Sequence, residues 1–138
     1  DVLTAASRGG GAMLNGRPIA TSAVEALSHA MCMASLPARP DRSDPAVQRF
    51  LRLLGEAQTV QRTGSAALHL CSVACGRIDA FWSTTLHPWD QAAGALIVNE
   101  AGGRVTSIDG SPFDVNRPSL LATNGTPLHA SLISSLCR

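Results

Sequence analysis

The chain has 138 residues, 45% hydrophobic and 15% charged, which suits one globular unit able to bury roughly two-thirds of its unfolded surface. Eleven basic residues, all arginine, stand against ten acidic ones for a formal charge of +1, so no global field invites nucleic acid or an anionic membrane. No stretch approaches ~18 uninterrupted apolar residues, no charged-then-apolar leader is present, and Cys32, Cys71, Cys75 and Cys137 lack zinc spacing, which reads as a soluble, cytoplasmic protein with reduced thiols.

The sequence opens on Asp1, and DVLTAAS is strand-like with no cap or turn before it; the expectation is that an upstream segment has been removed. Short apolar runs then alternate with Arg8-Gly-Gly-Gly11 and with Asn15-Gly16, a dipeptide suited to a two-residue hairpin turn. Two or three antiparallel strands are expected. Because a hairpin is marginal alone, residues 1–21 read as the end of an amino-terminal sheet that is otherwise missing. Ser22-Ala-Val-Glu25 has the pattern of a capping box opening a short helix to about Ala30, and MCMASL suits a buried strand. Asp44-Pro45 supplies a cap and a first-turn proline to a helix whose apolar face is predicted to be Val47, Phe50, Leu51 and Leu54. A strand near Gln58 to Arg62 precedes Gly64-Ser65 and a helix over Ala66 to Ala74. Ile78 to Trp82 reads as a strand, and Asp90 is expected to open a helix ended by Gly102-Gly103. Strands at Arg104 to Ile108 and Leu120 to Thr123, with a turn at Asp109-Gly110, lead to a last helix from Thr126-Pro127 toward Leu136. Helices alternating with strands predict an α/β fold, a mixed β-sheet covered by helices over residues 22–138.

Taken by themselves, the polar residues have ordinary explanations. Asp90 at a helix start suits a cap, and Ser65 suits an N-cap, although free N–H groups beside Gly64 would also attract an anionic or oxygen-rich ligand. Ser65 and His69, four apart, could face one another as nucleophile and base, but no strained elbow or oxyanion donor set accompanies them. Arg8-Gly-Gly-Gly11 could cradle phosphate, with a flexible hairpin loop the stronger reading. His29, His87 and His129 form no metal-ligand spacing, and His87 lies near Asp90.

The run GRIDAFWSTTLHPWDQAAGALIVNEAGG, Gly76 to Gly103, resembles the carboxy-terminal signature of the inositol monophosphatase family. Gly9 to Ile19, Arg62 to Leu68 and DGSPFD at Asp109 to Asp114 resemble further segments of that family in the same order, so the likeness is expected to be to its carboxy-terminal half. The resemblance implies an Mg2+-dependent phosphatase acting on a small phosphorylated substrate. It implies that Asp90 is a metal ligand, that Gly64, Ser65 and Ala66 contact the alcohol portion of the ester, and that Ala92, Ala93, Gly94 and Ala95 let their helix approach its neighbours. Where many relatives place a glutamate seven residues before the aspartate, this chain has Ser83, a substrate-binding candidate with altered preference. The family's paired glutamates and its Asp-Pro-x-Asp-Gly-Thr segment do not occur here. The expectation is therefore a fragment inactive alone, with a missing amino-terminal half as partner and a homodimer admitted; the alternative is a non-catalytic interaction module that retains the scaffold.

Overall fold

The computed structural model describes residues 1–138. Strands β1 (Thr4–Ser7), β2 (Gly11–Leu14) and β3 (Arg17–Pro18) form a three-stranded antiparallel sheet in the order β1-β2-β3. Asn15 and Gly16 join β2 to β3 with φ of 50° and 75°, the pair of left-handed residues that a tight hairpin turn requires. These strands pair with one another, with Thr4 opposite Leu14 and Met13 opposite Pro18, and their inner side meets the helix Pro88–Glu100. The expected hairpin left over from a missing sheet is thus corrected: the first strands make a sheet of their own, and a helix covers it.

The second sheet has five strands in the order β5-β4-β6-β8-β7, formed by β4 (Met31–Ala34), β5 (Thr59–Gln61), β6 (Ala80–Ser83), β7 (Arg104–Thr106) and β8 (Leu120–Thr123). β4 runs parallel to both β5 and β6, while β8 is antiparallel to β6 and β7. Helix α1 (Pro45–Leu54) links β4 to β5 on one side, and α2 (Ala66–Ala74) links β5 back across β4 to β6. Right-handed crossovers in opposite directions put their helices on opposite faces. Accordingly α1 packs with α4 (Leu128–Leu136), and α2 packs with α3 (Pro88–Glu100).

Strand alternation divides the core in two. Phe81, Leu120 and Ala122 face α2 and α3 and share a cluster with Leu70, Val73 and Val98. Ala80, Trp82 and Leu121 face the other way, toward Leu53 of α1 and Leu128, Leu132 and Leu136 of α4. The layers are therefore α1/α4, the five-stranded sheet, α2/α3, and the three-stranded sheet. No helix is long and apolar enough to cross a membrane.

Local expectations fail where a distant partner competes. The predicted helix from Ser22 is reduced to a single 3-10 turn at Leu27–His29, because the Ser22 hydroxyl donates to the buried Asp79 carboxylate instead of capping. The Asp79 carboxylate also accepts from the Met31 N–H at 2.7 Å, and Asn124 donates to Ser22 at 3.0 Å. α1 does begin on the Asp44 cap, which accepts from Ala46 N–H at 2.8 Å. Its inward face is Ala46, Phe50 and Leu53, whereas Leu51 and Leu54 are exposed. In α3 the close approach falls to Gly94, where a Cβ would sit 2.4 Å from Leu70 Cδ1. Ala92 and Ala93 face solvent.

Candidate functional site

The carboxyl ends of β4, β5 and β6 open onto a hollow of about 270 Å3 lined by Arg62, Gly64, Ala66, Thr85, Leu86 and Asp90, among others. Parallel strands leave their carboxyl-end loops free to converge there, the usual place for a ligand in an open α/β sheet. Larger hollows of about 590 and 660 Å3 lie elsewhere. In the first, Arg49 and Arg52 donate to the α4 carbonyls of Leu136 and Ser135, and Arg138 pairs with Glu56. Those guanidinium groups tie helices together, so the smaller hollow is the better candidate.

Asp90 is the third residue of α3, not its cap; the chain enters the helix at His87. Its Oδ2 accepts from the His87 backbone N–H at 2.9 Å and lies 3.4 Å from His87 Nδ1. Asp90 Oδ1 accepts no hydrogen bond within the chain, which leaves one carboxylate oxygen for a ligand in the hollow. His87 is exposed and stacks on Trp89, with ring centroids 4.8 Å apart. No group of three or more His, Cys, Asp or Glu side chains is arranged around a common metal position. Asp90 is the one carboxylate among the residues lining the hollow.

Gly64 and Ala66 line the same hollow as Asp90, and Gly64 has φ of 89°, a conformation that only glycine adopts without strain. Ser65 is the α2 N-cap, accepting from Leu68 N–H at 3.4 Å. The Ser65 hydroxyl does not bond to the His69 ring, whose Nε2 bonds to the Thr63 hydroxyl; the two residues meet only through the His69 N–H, which donates to the Ser65 carbonyl at 3.0 Å. Ser83 is completely buried at the end of β6, where its hydroxyl accepts from Thr85 N–H at 3.2 Å and lies 3.3 Å from Thr85 Oγ1. It touches the hollow only through Thr85. Among the lining residues, Arg62 heads the Arg62–Leu68 segment whose resemblance implies a substrate-site turn, although Arg62 is not itself singled out there, while Thr85 and Leu86 carry no signal in the sequence.

The glycine-rich loop does hold an anion, but it is the chain's own. Glu100, at the end of α3, accepts from Gly9 N–H at 2.9 Å and Gly11 N–H at 3.0 Å, one on each carboxylate oxygen. This clamp fastens the three-stranded sheet to α3 and fills the cradle that a phosphate would need. Charge-assisted bonds of this kind are worth about 1.5–3 kcal/mol, less when partly exposed. Glu100→Ala is expected to lower unfolding stability by about 1–2 kcal/mol, read from the urea midpoint. A midpoint that does not move would show that the clamp is incidental.

All four cysteines are free. Burial, with the Asp79 charge beside it, pushes the Cys32 thiol up to about 12, which removes it as a nucleophile.

The family model described as "Inositol monophosphatase family" matches residues 1–138. The chain belongs to the inositol monophosphatase family. It is 42% identical over 127 residues to an inositol-1-monophosphatase of Synechocystis sp., covering 91% of this chain and 44% of that protein. It is likewise 42% identical over 122 residues to the Nus factor SuhB of Pseudomonas aeruginosa, covering 86% of this chain and 45% of that protein. Among solved structures, an inositol monophosphatase from Anabaena (Nostoc) sp. superposes over 99% of this chain and 54% of that one, with a TM-score of 0.92 and 37% identity. The chain spans about half the length of the curated relatives it matches.

A match running from residue 1 to residue 138 corrects the expectation of a likeness to the family's carboxy-terminal half only. The same match, with the superposition over nearly the whole chain, argues against the expectations of an inactive fragment and of a non-catalytic module retaining the scaffold. The first strands do not depend on a missing amino-terminal half for their pairing, as the expected partnership had them do: they pair with each other and pack on α3, which corrects that reading of the partnership.

Proposed function

We propose that the protein is a magnesium-dependent phosphatase hydrolysing a phosphate monoester of inositol or of a related small alcohol or sugar. The observation that carries this reading is the shared hollow, with Asp90 on one side and the turn containing Gly64 and Ala66 on the other. Asp90 would hold the metal through the oxygen that α3 leaves free. Bound Mg2+ would supply Lewis-acid polarisation of the phosphoryl group. Arg62 is the cationic side chain lining the hollow, and its place there supports a role in attracting and orienting the phosphate. The alcohol portion of the ester would meet Gly64 and Ala66, where the absence of large side chains permits close approach. Ser65 would act beneath them by capping α2 and holding the turn. Free thiols support a reducing, cytoplasmic setting.

The test is phosphate release by the whole protein from a panel of inositol, sugar and nucleotide monophosphates, with magnesium and with chelator. Magnesium-dependent turnover of a sugar or polyol phosphate is expected. No release above background from any member would overturn the proposal.

Ser83 is proposed to tune substrate preference through Thr85. Its hydroxyl steadies the Thr85 N–H and side chain, so Ser83→Ala frees a lining residue without enlarging the buried side chain. Relative kcat/KM across the panel is expected to change by about threefold to tenfold, the worth of roughly one neutral hydrogen bond. Identical rankings before and after substitution would remove Ser83 from the specificity set.

A further inference from the structure

On the inward face of α2, Leu70, Val73 and Ala74 are apolar and fully buried, yet their neighbour His69 is equally inaccessible at 2% exposure. The ring meets Phe81 of β6 edge-on, with centroids 4.8 Å apart. Nδ1 is buried with no hydrogen-bond partner, while Nε2 is bonded to the Thr63 hydroxyl. A leucine would fill this space without stranding a ring nitrogen, and an unpaired buried polar atom is destabilising. Packing alone therefore argues against histidine here. Burial also lowers the His69 pKa, which keeps the ring neutral. A hydrogen on Nε2, donated to Thr63, leaves a bare lone pair at Nδ1 instead of a buried N–H.

Thr63 stands between two residues that line the Asp90 hollow, Arg62 and Gly64. Its own side chain turns the other way, to His69 on the helix behind. The chain then bends at Gly64, with φ of 89°, and enters α2 through the Ser65 cap. The His69–Thr63 bond thus ties the strand-to-turn segment to the first turn of α2 and, through Phe81, to the sheet. At Ser65 the wall is held by the long cap bond from Leu68 N–H, 3.4 Å, and by the backbone bond from His69 N–H to the Ser65 carbonyl, 3.0 Å; the His69–Thr63 bond is the one side-chain tie that reaches past Gly64.

We propose that His69 and Thr63 are a positioning pair whose hydrogen bond holds the Arg62–Ala66 turn in the geometry that receives the alcohol portion of the ester. This rests on reading the Asp90 hollow as the ester site. Position 69 sacrifices some stability for a directed bond, the signature expected where function and packing compete.

The experiment compares His69→Leu, Thr63→Val, the double variant and His69→Gln in the whole protein. Amide hydrogen exchange, thermal unfolding and steady-state kinetics with magnesium and a phosphate ester are read for each. In both single variants the backbone amides of residues 68 and 69, which donate to the Ser65 side chain and carbonyl, are expected to exchange about tenfold faster, and KM to rise about tenfold with kcat within about twofold. His69→Leu should unfold at the same or a higher temperature. The double variant should be no worse than either single one, and His69→Gln, which can still donate to Thr63, should recover most of the loss. Unchanged exchange at residues 68 and 69 in both single variants overturns the pair, as does a His69→Leu protein that only loses stability. Faster exchange with unaltered KM overturns the link to ester binding. Thr63→Val, at an exposed position, keeps the test decisive if His69→Leu does not fold. If the unaltered protein releases no phosphate, the ester-site reading fails, and hydrogen exchange still decides whether the pair holds the turn.

Discussion

Asp90→Asn is expected to reduce magnesium-dependent kcat/KM at least about a hundredfold while leaving the fold intact. The two carboxylate oxygens do different jobs. Oδ2 takes the His87 N–H at 2.9 Å, a bond that an asparagine carbonyl oxygen reproduces, so α3 keeps its entry geometry. Oδ1 is free of intrachain bonds, and there the substitution replaces an anionic oxygen by an amide nitrogen that cannot ligate a cation. The lost charge near the start of α3 costs about 0.3–1 kcal/mol through the helix dipole, a shift of a few degrees in Tm at most. The checks are kcat/KM over a magnesium titration, with Tm as the control for folding. Retained activity with the same magnesium midpoint would reduce Asp90 to a helix-entry residue and withdraw the metal assignment.

Stability is expected to fall by about 3 kcal/mol between pH 6.5 and pH 4 on account of His129 alone. His129 is 2% exposed, with Nδ1 2.8 Å from Thr123 Oγ1 and Nε2 3.0 Å from Thr106 Oγ1. Burial first, and then the Arg104 charge, hold its pKa down from 6.5 to about 4. In the unfolded chain the imidazole takes up a proton as the pH drops through its ordinary value, while the native ring remains neutral. The unfolded state therefore binds more protons over that window, and stability is lost as the pH falls until the folded value is reached. His69, also shifted downward by burial, contributes in the same direction. Urea unfolding of the parent and of His129→Gln at half-unit steps from pH 7 to pH 4 isolates the effect. The variant should be less stable at pH 7, having disturbed both threonine contacts, but should show a shallower slope. Equal slopes would mean that His129 is protonated in the native protein.

The residues with strong local chemistry were legible before any tertiary information. Asn15-Gly16 made a turn because both positions accept positive φ, and Asp44-Pro45 began α1 because cap and first-turn proline act on neighbouring backbone. α2 over Ala66–Ala74 and β8 over Leu120–Thr123 appeared with the predicted bounds, each bracketed by its own start and stop residues. Asp90, Gly64 and Ala66 were named from motif resemblance, and the fold put them around one hollow. Periodicity alone could not have joined residues so far apart in sequence.

What remained hidden depended on partners that local patterns do not contain. Ser22-Ala-Val-Glu25 carries a helix-start pattern, yet the buried Asp79 carboxylate, 57 residues away, takes the Ser22 hydroxyl. α1 offered two overlapping apolar faces, and contact with α4 selected Ala46, Phe50 and Leu53 over Leu51 and Leu54. The glycine-rich loop was chemically fit for an anion, and α3 supplied Glu100 from 91 residues away. Arg62 and Thr85 became lining residues because β4, β5 and β6 end together. The sequence by itself thus determined the turns, the caps, most helix and strand positions and the family signature, since these follow from short-range backbone chemistry and residue pattern. Only the tertiary structure decided which faces are buried, which polar groups are consumed internally and which carboxylate oxygen is left free, because those outcomes depend on crossover handedness and on contacts between residues distant along the chain.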